Sequence, residues 1–577
     1  MSAPHEWIEE VSRDQLQAVN AGIARWVRMT GTEDERKAFD FIASTLEGYG
    51  LAITLHEPTC LVSNPVSARL QAGGQDFHCI TTSFSTSTPE TGVAGQLVYA
   101  GGGSPSELGA AEAAGKIALT EGLASPQKAR AATQAGVRAL ICISGEHLHE
   151  MTVSPVWGSP TPETLDMLPQ VPVISVDSAT GEQLKALIDG AEARVRVTTV
   201  VDTRWRKIPV LLADLDVEGR DYVMFSGHVD SWHYGAMDNG SANATMIEVA
   251  RILANHRDEL RRGVRFAFWS GHSQARYAGS TWFADAYWFD LRDRCVAHVN
   301  VDSTGGKGAT DLTTANTMAE TYGFARDVIR RQTGQELIYQ RFGRAGDQSF
   351  WGIGLPAIFM SVSHQGEASD VTADLVRLTG GTAARSGGLG WWWHTTEDTL
   401  DKIDPELHDR DTRIYVEVVG RLATDAILPY DLTGPIHEML TELEALEGVW
   451  GAAGELSADD APGFEALRAE LQAARDAAAA LNVRIADGVD DGDAEEINAA
   501  LLSAARYLMP VNYTAAGEFD HDPALGARTL PSLHPGKALA AMNDDELWAS
   551  LHKVRRSANG VRYHVRLARR ALEAVSG

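Results

Sequence analysis

The chain is predicted to fold as an α/β protein, a mostly parallel sheet flanked by helices, with an inserted β-rich domain and a C-terminal helical domain. Three observations carry that expectation. After residue 205 short apolar runs, DYVMFSGH, GVRFAFWSG, CVAHVNVD and LPAIFMSV, alternate with helical segments such as NATMIEVARILANH, the pattern of parallel strands joined by crossover helices. Between residues 60 and 204 the texture changes to GQLVYA, GKIALTEG, GVRALICIS, VPVISV and ARVRVTTVV, strand-like runs separated by Gly, Ser and Pro around one helical piece, SPQKARAATQAG. Beyond residue 430 Ala, Leu and Glu dominate. There FEALRAELQAARDAAAALN sets Phe464, Leu467, Leu471, Ala474, Ala478 and Leu481 three and four residues apart, a helix-packing seam.

At 577 residues the chain is too long for one core. The texture changes divide it into residues 1–59 with 205–430, the α/β domain; 60–204, the insert; and 431–577, the helical domain. In the first part TEDERKAFDFIASTLEGYG has Thr32 and Glu35 in capping-box spacing and Ala38, Phe41, Ile42 and Leu46 on one face, so it reads as an amphipathic helix. In the last part INAALLSAARYL and DDELWASLHKVRRSANGVRYHVRLARRALEAV continue the helical pattern. The acidic ADGVDDGDAEE between the helices lacks calcium-loop spacing and reads as a solvated turn.

A net charge of −28 excludes a nucleic-acid backbone or an anionic membrane as the main partner. No apolar run approaches the roughly 20 residues of a membrane span, and the first residues carry no signal-peptide pattern. Cys60, Cys79, Cys142 and Cys295 form no CxxC pair and lie mostly in apolar runs. Buried thiols in a reducing compartment, the cytoplasm, are expected.

In a parallel α/β sheet the chemistry sits at the carboxyl ends of strands. FSGHVD ends in His228 and Asp230, HVNVD ends in Asp302, YGAMDNGSAN carries Asp238 before the first helix, and WWWHTTEDT presents His394. Imidazole and carboxylate are the ligands that hold zinc-like ions, and two ions about 3.5 to 4 Å apart require a carboxylate between them.

With these residues in place, GHVDSWHYGAMDNGSANATMIEVAR, FWSGHSQARYAGS, NVDSTG, GDQSFWGIGLPAIF and WWWHTTEDTLDKID resemble the co-catalytic zinc aminopeptidase family, particularly the branch with glutamate carboxypeptidase and the transferrin receptor. The resemblance spans nearly the whole chain. The insert is similar to that branch's protease-associated domain. The tail, with ARYLMPVNYT and DHDPALGARTLPSL, is similar to its helical dimerisation domain, which implies a homodimer. By position the resemblance implies that His228 and Asp302 hold one metal, that His394 helps to hold another and that Asp238 bridges them. Asp230 would stand behind His228 and fix its tautomer, and Asp347 would belong to the loop lining the substrate pocket. The implied cofactor is one or two divalent ions, zinc first, with manganese or iron as alternatives.

FWSGHSQARYAGS departs from the family. Active relatives carry two adjacent glutamates in this turn, the general base and a metal ligand. Counting back from Gly279 and Ser280, Ser273 occupies the base position and Gln274 the ligand position. Loss of a general base costs about 10² to 10⁴-fold in rate. A neutral glutamine leaves the His394 half the weaker metal site. Since an imidazole can act as a base near neutral pH or as a metal ligand, His272 is the candidate substitute, as base or as ligand. Arg276, with Arg341 and Arg344, is placed to clamp a substrate carboxylate, while Trp232, Tyr234, Trp391, Trp392 and Trp393 are expected to wall the pocket.

The expected function is a metal-dependent hydrolase cleaving an amide or peptide bond in a small molecule or short peptide. The altered turn argues against an ordinary peptide. A catalytically silent binding or scaffold protein and a non-hydrolytic metal enzyme, a lyase or hydratase, are the other readings.

Overall fold

The computed structural model describes residues 4–189, 193–366, 371–373, 387–452, 460–526 and 528–576. The helices Arg13–Ala24 and Glu33–Gly48 come first, capped by Ser12 and Thr32, whose hydroxyls accept from the N–H of Gln15 and Glu35. Glu35 does not return to its own cap residue as a capping box requires. Its carboxylate takes the Gly31 N–H one residue earlier, at 2.7 Å. Ala38, Ile42 and Leu46 are buried as expected; Phe39 joins them, and Phe41 packs only partly against the core.

After β1 (Ala52–His56) the chain leaves for a second sheet: β2 (Thr59–Ala72), β3 (Gln75–Phe77), β4 (Ile80–Thr81), β5 (Val93–Tyr99), β6 (Ile117–Glu121), β7 (Ala139–Ile143), β8 (Val173–Val176) and β9 (Arg194–Lys207). It returns through β10 (Val210–Leu215), β11 (Tyr222–His228), β12 (Gly263–Trp269), β13 (Cys295–Asn300) and β14 (Ala357–Ile358). The central sheet runs β1-β10-β12-β11-β13-β14. β11 pairs in parallel with β12 and β13, and β13 with β14, while β10 is antiparallel to both its neighbours. β1 and β10 add to the four strands expected. LPAIFMSV pairs only at Ala357 and Ile358, because Phe359 turns left-handed with φ 62°.

β11, β12 and β13 are buried at every residue, as strands covered on both faces must be. Val223, Phe225, Val264 and Phe266 face the helices Ala242–Asn255 and Pro405–Thr424. Tyr222, Met224, Ala267 and Trp269 face Phe283 and Leu291 of the helices Ala278–Ala286 and Trp288–Arg294. The second sheet runs β3-β2-β9-β5-β6-β7-β8-β4, with β5 to β8 parallel. It is joined to the first through the long antiparallel pair β2 and β9, which starts with Thr59 opposite Lys207 and shifts register once, between Pro65 and Ser67.

Four long helices follow, Thr433–Gly451, Phe464–Ala486, Asp491–Tyr513 and Asp544–Ser576, and every residue of the expected seam is buried. The acidic stretch is a turn only over residues 487–490. Asp490 accepts from the N–H of Gly492 and Asp493 and starts the next helix, where acidic residues suit the positive end of the dipole. The four cysteines are buried and unpaired. Among the described residues no helix is long and apolar enough to cross a membrane.

Glu320 lies where the α/β unit meets these helices. The Tyr513 hydroxyl donates to its Oε2 at 3.2 Å, the Asp431 N–H donates to its carbonyl, and burial pushes the carboxyl up to about 7. The folded state therefore keeps a proton that the unfolded chain releases at its ordinary value of 4.5. Stability contributed by this group falls as pH rises through that window and is level above it. Relative to wild type, Glu320→Gln is expected to gain stability by on the order of 1 kcal/mol per pH unit between about pH 5 and 7. Urea unfolding at both pH values checks this, and an equal difference at the two would refute it.

Candidate metal centre

The parallel pairing of β11 with β13 sets His228, the last residue of β11, beside Asp302, just past β13. Asp238 comes from the irregular turn Ala236–Ser241 that precedes the helix Ala242–Asn255. His394 sits in a loop, in the left-handed region at φ 59°. His228 Nε2 lies 3.2 Å from Asp238 Oδ1 and 3.6 Å from Asp302 Oδ2, and His394 Nε2 lies 3.0 Å from Asp238 Oδ2. Asp238 thus spans two imidazoles, one on each oxygen.

Both tautomers are set from behind. His228 Nδ1–H donates to the Asp230 carbonyl at 2.9 Å, and His394 Nδ1–H to the Glu150 carbonyl at 2.6 Å, so each Nε2 presents a lone pair. Burial opposes ionisation of Asp238, yet the two histidines hold its carboxyl well below the usual range. His228 Nε2 and Asp238 Oδ1 are buried without a hydrogen-bond partner. Two imidazoles and two carboxylates around orphaned atoms match the donor set of zinc, and the residues fit such an ion.

Around this cluster the structure corrects two expected roles. Asp230 fixes the His228 tautomer through its main-chain oxygen; its carboxylate is 3.8 Å from Nδ1. That carboxylate instead accepts from the N–H of His272 and Ser273 and from the Thr30 hydroxyl, bracing the turn. Gln274 is fully buried and turned away from the pocket. Its Oε1 accepts from the Thr30 N–H at 3.2 Å and the Thr30 hydroxyl at 2.6 Å, and its Nε2 donates to the Ser231 carbonyl. The oxygen expected to reach a metal is committed twice over.

His272 does enter the site. Its Nδ1 is 2.9 Å from Asp347 Oδ2, and Asp347 is held in turn by the Ser280 hydroxyl at 2.8 Å. The ring stacks on His228 with centroids 3.8 Å apart, and the ligand atoms of His228, His272 and Asp302 lie within 4.8 Å of one another.

A cavity of about 570 Å³ opens on Asp238, Asp302, His394, His272 and Ser273. Its walls also include Ser104 and Lys128 from the second sheet's region and Ala524 and Leu525 from the C-terminal region. Arg276 and Arg344 line it, and among the described residues neither forms an ion pair. Arg344 is buried 4.1 Å over the Trp157 ring and donates from Nε to the Asp522 carbonyl, leaving Nη2 without a partner. Arg341 is elsewhere, paired with Glu438 at 2.9 Å and bonded to the Asn512 carbonyl. Trp393 lines the cavity and stacks on His394 at 3.4 Å. Trp391 and Trp392 pack behind it, Trp232 meets His394 by its edge, and Tyr234 is exposed.

Residues 211–419 match the family model described as Peptidase family M28. Over that segment the chain is similar to peptidase family M28. The chain is 25% identical over 436 residues to the probable lipoprotein aminopeptidase LpqL of Mycobacterium tuberculosis, covering 71% of this chain and 82% of that protein. It is 24% identical over 283 residues to the aminopeptidase NAALADL1 of Mus musculus, covering 45% of this chain but only 37% of that protein. The solved zinc aminopeptidase BSAP of Bacillus subtilis superposes with a TM-score of 0.55 at 20% identity, covering 72% of this chain and 96% of that one.

Several residues that shape this centre were not foreseen. Arg28 donates to the carbonyls of Val229, Tyr234 and Gly235, and Asp398 accepts from the N–H of Met237 and Asp238. Asp398 had a visible signal, four residues past His394 in HTTEDT; Arg28 and Thr30 had none. Removal of the Gln274 amide strands the buried Thr30 N–H, while the Thr30 hydroxyl keeps the Asp230 carboxylate as acceptor. Gln274→Ala is therefore expected to lose roughly 1 to 3 kcal/mol in urea unfolding while still binding zinc. Unchanged stability would show that this amide does not brace the turn.

Proposed function

We propose that this chain is a metal-dependent hydrolase that cleaves a peptide or related amide bond in a small substrate bearing a carboxylate. The observation that carries the reading is Asp238 held between His228 and His394, with His228 Nε2 and Asp238 Oδ1 buried and in no hydrogen bond. The M28 match and the relatives named aminopeptidases supply the bond type. His228, Asp302 and Asp238 would hold the cation, zinc first, with His394 on the far oxygen of Asp238. A divalent ion so bound polarises a carbonyl and makes water acidic enough to react near neutral pH.

The chain's own residues do the rest. With Nδ1–H given to Asp347, His272 offers Nε2 toward the corner where water would react, as proton acceptor or ligand in place of the absent glutamates. Ser273 lines the pocket with a hydroxyl that hydrogen-bonds but does not hold a proton as a carboxylate would. Arg276 and Arg344 clamp the substrate carboxylate, and Trp393 orients the group beside His394.

Around this centre the reading adds a protease-associated-like insert over 60–204 and a helical domain over 431–577. A homodimer through the latter is supported by Trp548 and Tyr563, exposed on its last helix. A cytoplasmic location is supported by the four free buried thiols.

The test is hydrolysis of dipeptides and N-acyl amino acids before and after chelation. Activity is expected to vanish with chelator, return with Zn²⁺ and be lost in Asp302→Asn. Arg344→Met should raise KM for substrates with a free carboxylate about 10- to 100-fold, with kcat changed much less, and should spare their amidated analogues. Zinc-loaded protein that cleaves no amide in the panel would refute the reading.

A further inference from the structure

We infer that the site takes up one divalent cation rather than a pair, and that His272 is one of its ligands. The inference rests on the hydrolase reading for the presence of a metal, and on nothing in it about substrate.

The two sides of Asp238 are unequal. On the His228 side three residues converge: His228, His272 and Asp302 are, among the described residues, the one group of three or more ligand-type side chains whose donor atoms come within 4.8 Å of one another. Asp238 Oδ1 adjoins it, 3.2 Å from His228 Nε2. Each imidazole gives its Nδ1–H to a fixed oxygen, the Asp230 carbonyl for His228 and the Asp347 carboxylate for His272. A histidine backed by an oxygen at one nitrogen is arranged to ligate through the other. The rings are stacked, 18° from parallel, and one ring nitrogen of each lies within 4.8 Å of the other and of an Asp302 oxygen.

On the other side only His394 and Asp238 Oδ2 remain. The turn that supplies a glutamate in relatives supplies Gln274, and its oxygen is consumed by Thr30. Another carboxylate of this region is that of Glu150, whose buried Oε2 has no hydrogen-bond partner. Its Oε1 lies 3.7 Å from His233, and the chain around it is fixed by a reciprocal pair of bonds with His394, carbonyl to imidazole and N–H to carbonyl. It joins no group of three ligands.

Charge leads to the same count. Asp238 and Asp302 offset one dication. A second would bring two more positive charges to a pocket that already holds Arg276 and Arg344 unpaired and has the buried Arg28 beneath Asp238 and Asp398. A ligand has thus been gained on one side of the bridging carboxylate and lost on the other.

Native mass spectrometry of the full chain titrated with Zn²⁺ alone counts the ions, and calorimetry gives the affinity. One ion per chain is expected, retained in His394→Ala and bound about 10- to 100-fold more weakly in His272→Ala, while His272→Asn at intact thermal stability separates ligand loss from unfolding. Two tightly held ions in wild type would overturn the inference and leave the hydrolase reading standing. A single ion lost in His394→Ala but not in His272→Ala would also overturn it. No zinc bound at saturation would remove both.

Discussion

The carboxylate of Asp238 is the constraint on which the rest of the centre depends. A buried anion costs several kcal/mol unless charges and hydrogen bonds meet it, and here each oxygen is met by a different imidazole. To bring those imidazoles together the chain ties three distant segments. β11 delivers His228, the loop at 391–398 delivers His394, and the N-terminal Arg28 binds the carbonyls of Val229, Tyr234 and Gly235. Asp398, pushed up to about 7 by burial, holds the main-chain N–H of Met237 and Asp238 itself. The second sheet's region takes part as well, since Glu150 exchanges main-chain bonds with His394.

The turn around Gln274 is braced from within the fold. Gln274 meets both the N–H and the hydroxyl of Thr30 and reaches the Ser231 carbonyl. Asp230 takes the N–H of His272 and Ser273, so the turn is pinned on both sides of its apex. The result of this bracing is the position of His272, stacked on His228 and fastened to Asp347. An imidazole so firmly held is preorganised, and preorganisation is what a reacting centre needs from its surroundings.

What was legible in the sequence followed from local patterns. Residues at strand ends share an edge because parallel strands share a direction, so His228 and Asp302 could be paired on paper; the seam from Phe464 to Leu481 obeyed helical spacing residue by residue. What was not legible depended on contacts remote in the chain. Nothing near Gln274 announces Thr30, 244 positions away, and the choice between the main-chain and side-chain oxygen of Asp230 is made by the path of the turn. Arg341 and Arg344 are indistinguishable as letters. One meets Glu438 on a C-terminal helix; the other lies over Trp157 and faces the cavity. Even the acidic ADGVDDGDAEE hid a helix start, since a cap residue is known only by the N–H groups it receives.

The arrangement of charge in the cavity also decides how an anionic substrate must lie. A cation held by Asp238 and Asp302 would have its charge offset by its own ligands, whereas among the described residues neither Arg276 nor Arg344 forms an ion pair. A free substrate carboxylate is drawn to whichever positive group is least neutralised, and a guanidinium fork also matches its two oxygens. On the proposed reading the arginines would compete with the ion for that carboxylate and keep it off the ion. Arg344 is suited to this because its guanidinium is buried over an aromatic ring, where its single firm hydrogen bond goes to a neutral carbonyl. With the carboxylate taken up at the arginines, the neutral amide of the proposed substrate would be the part left to face the cation and His272.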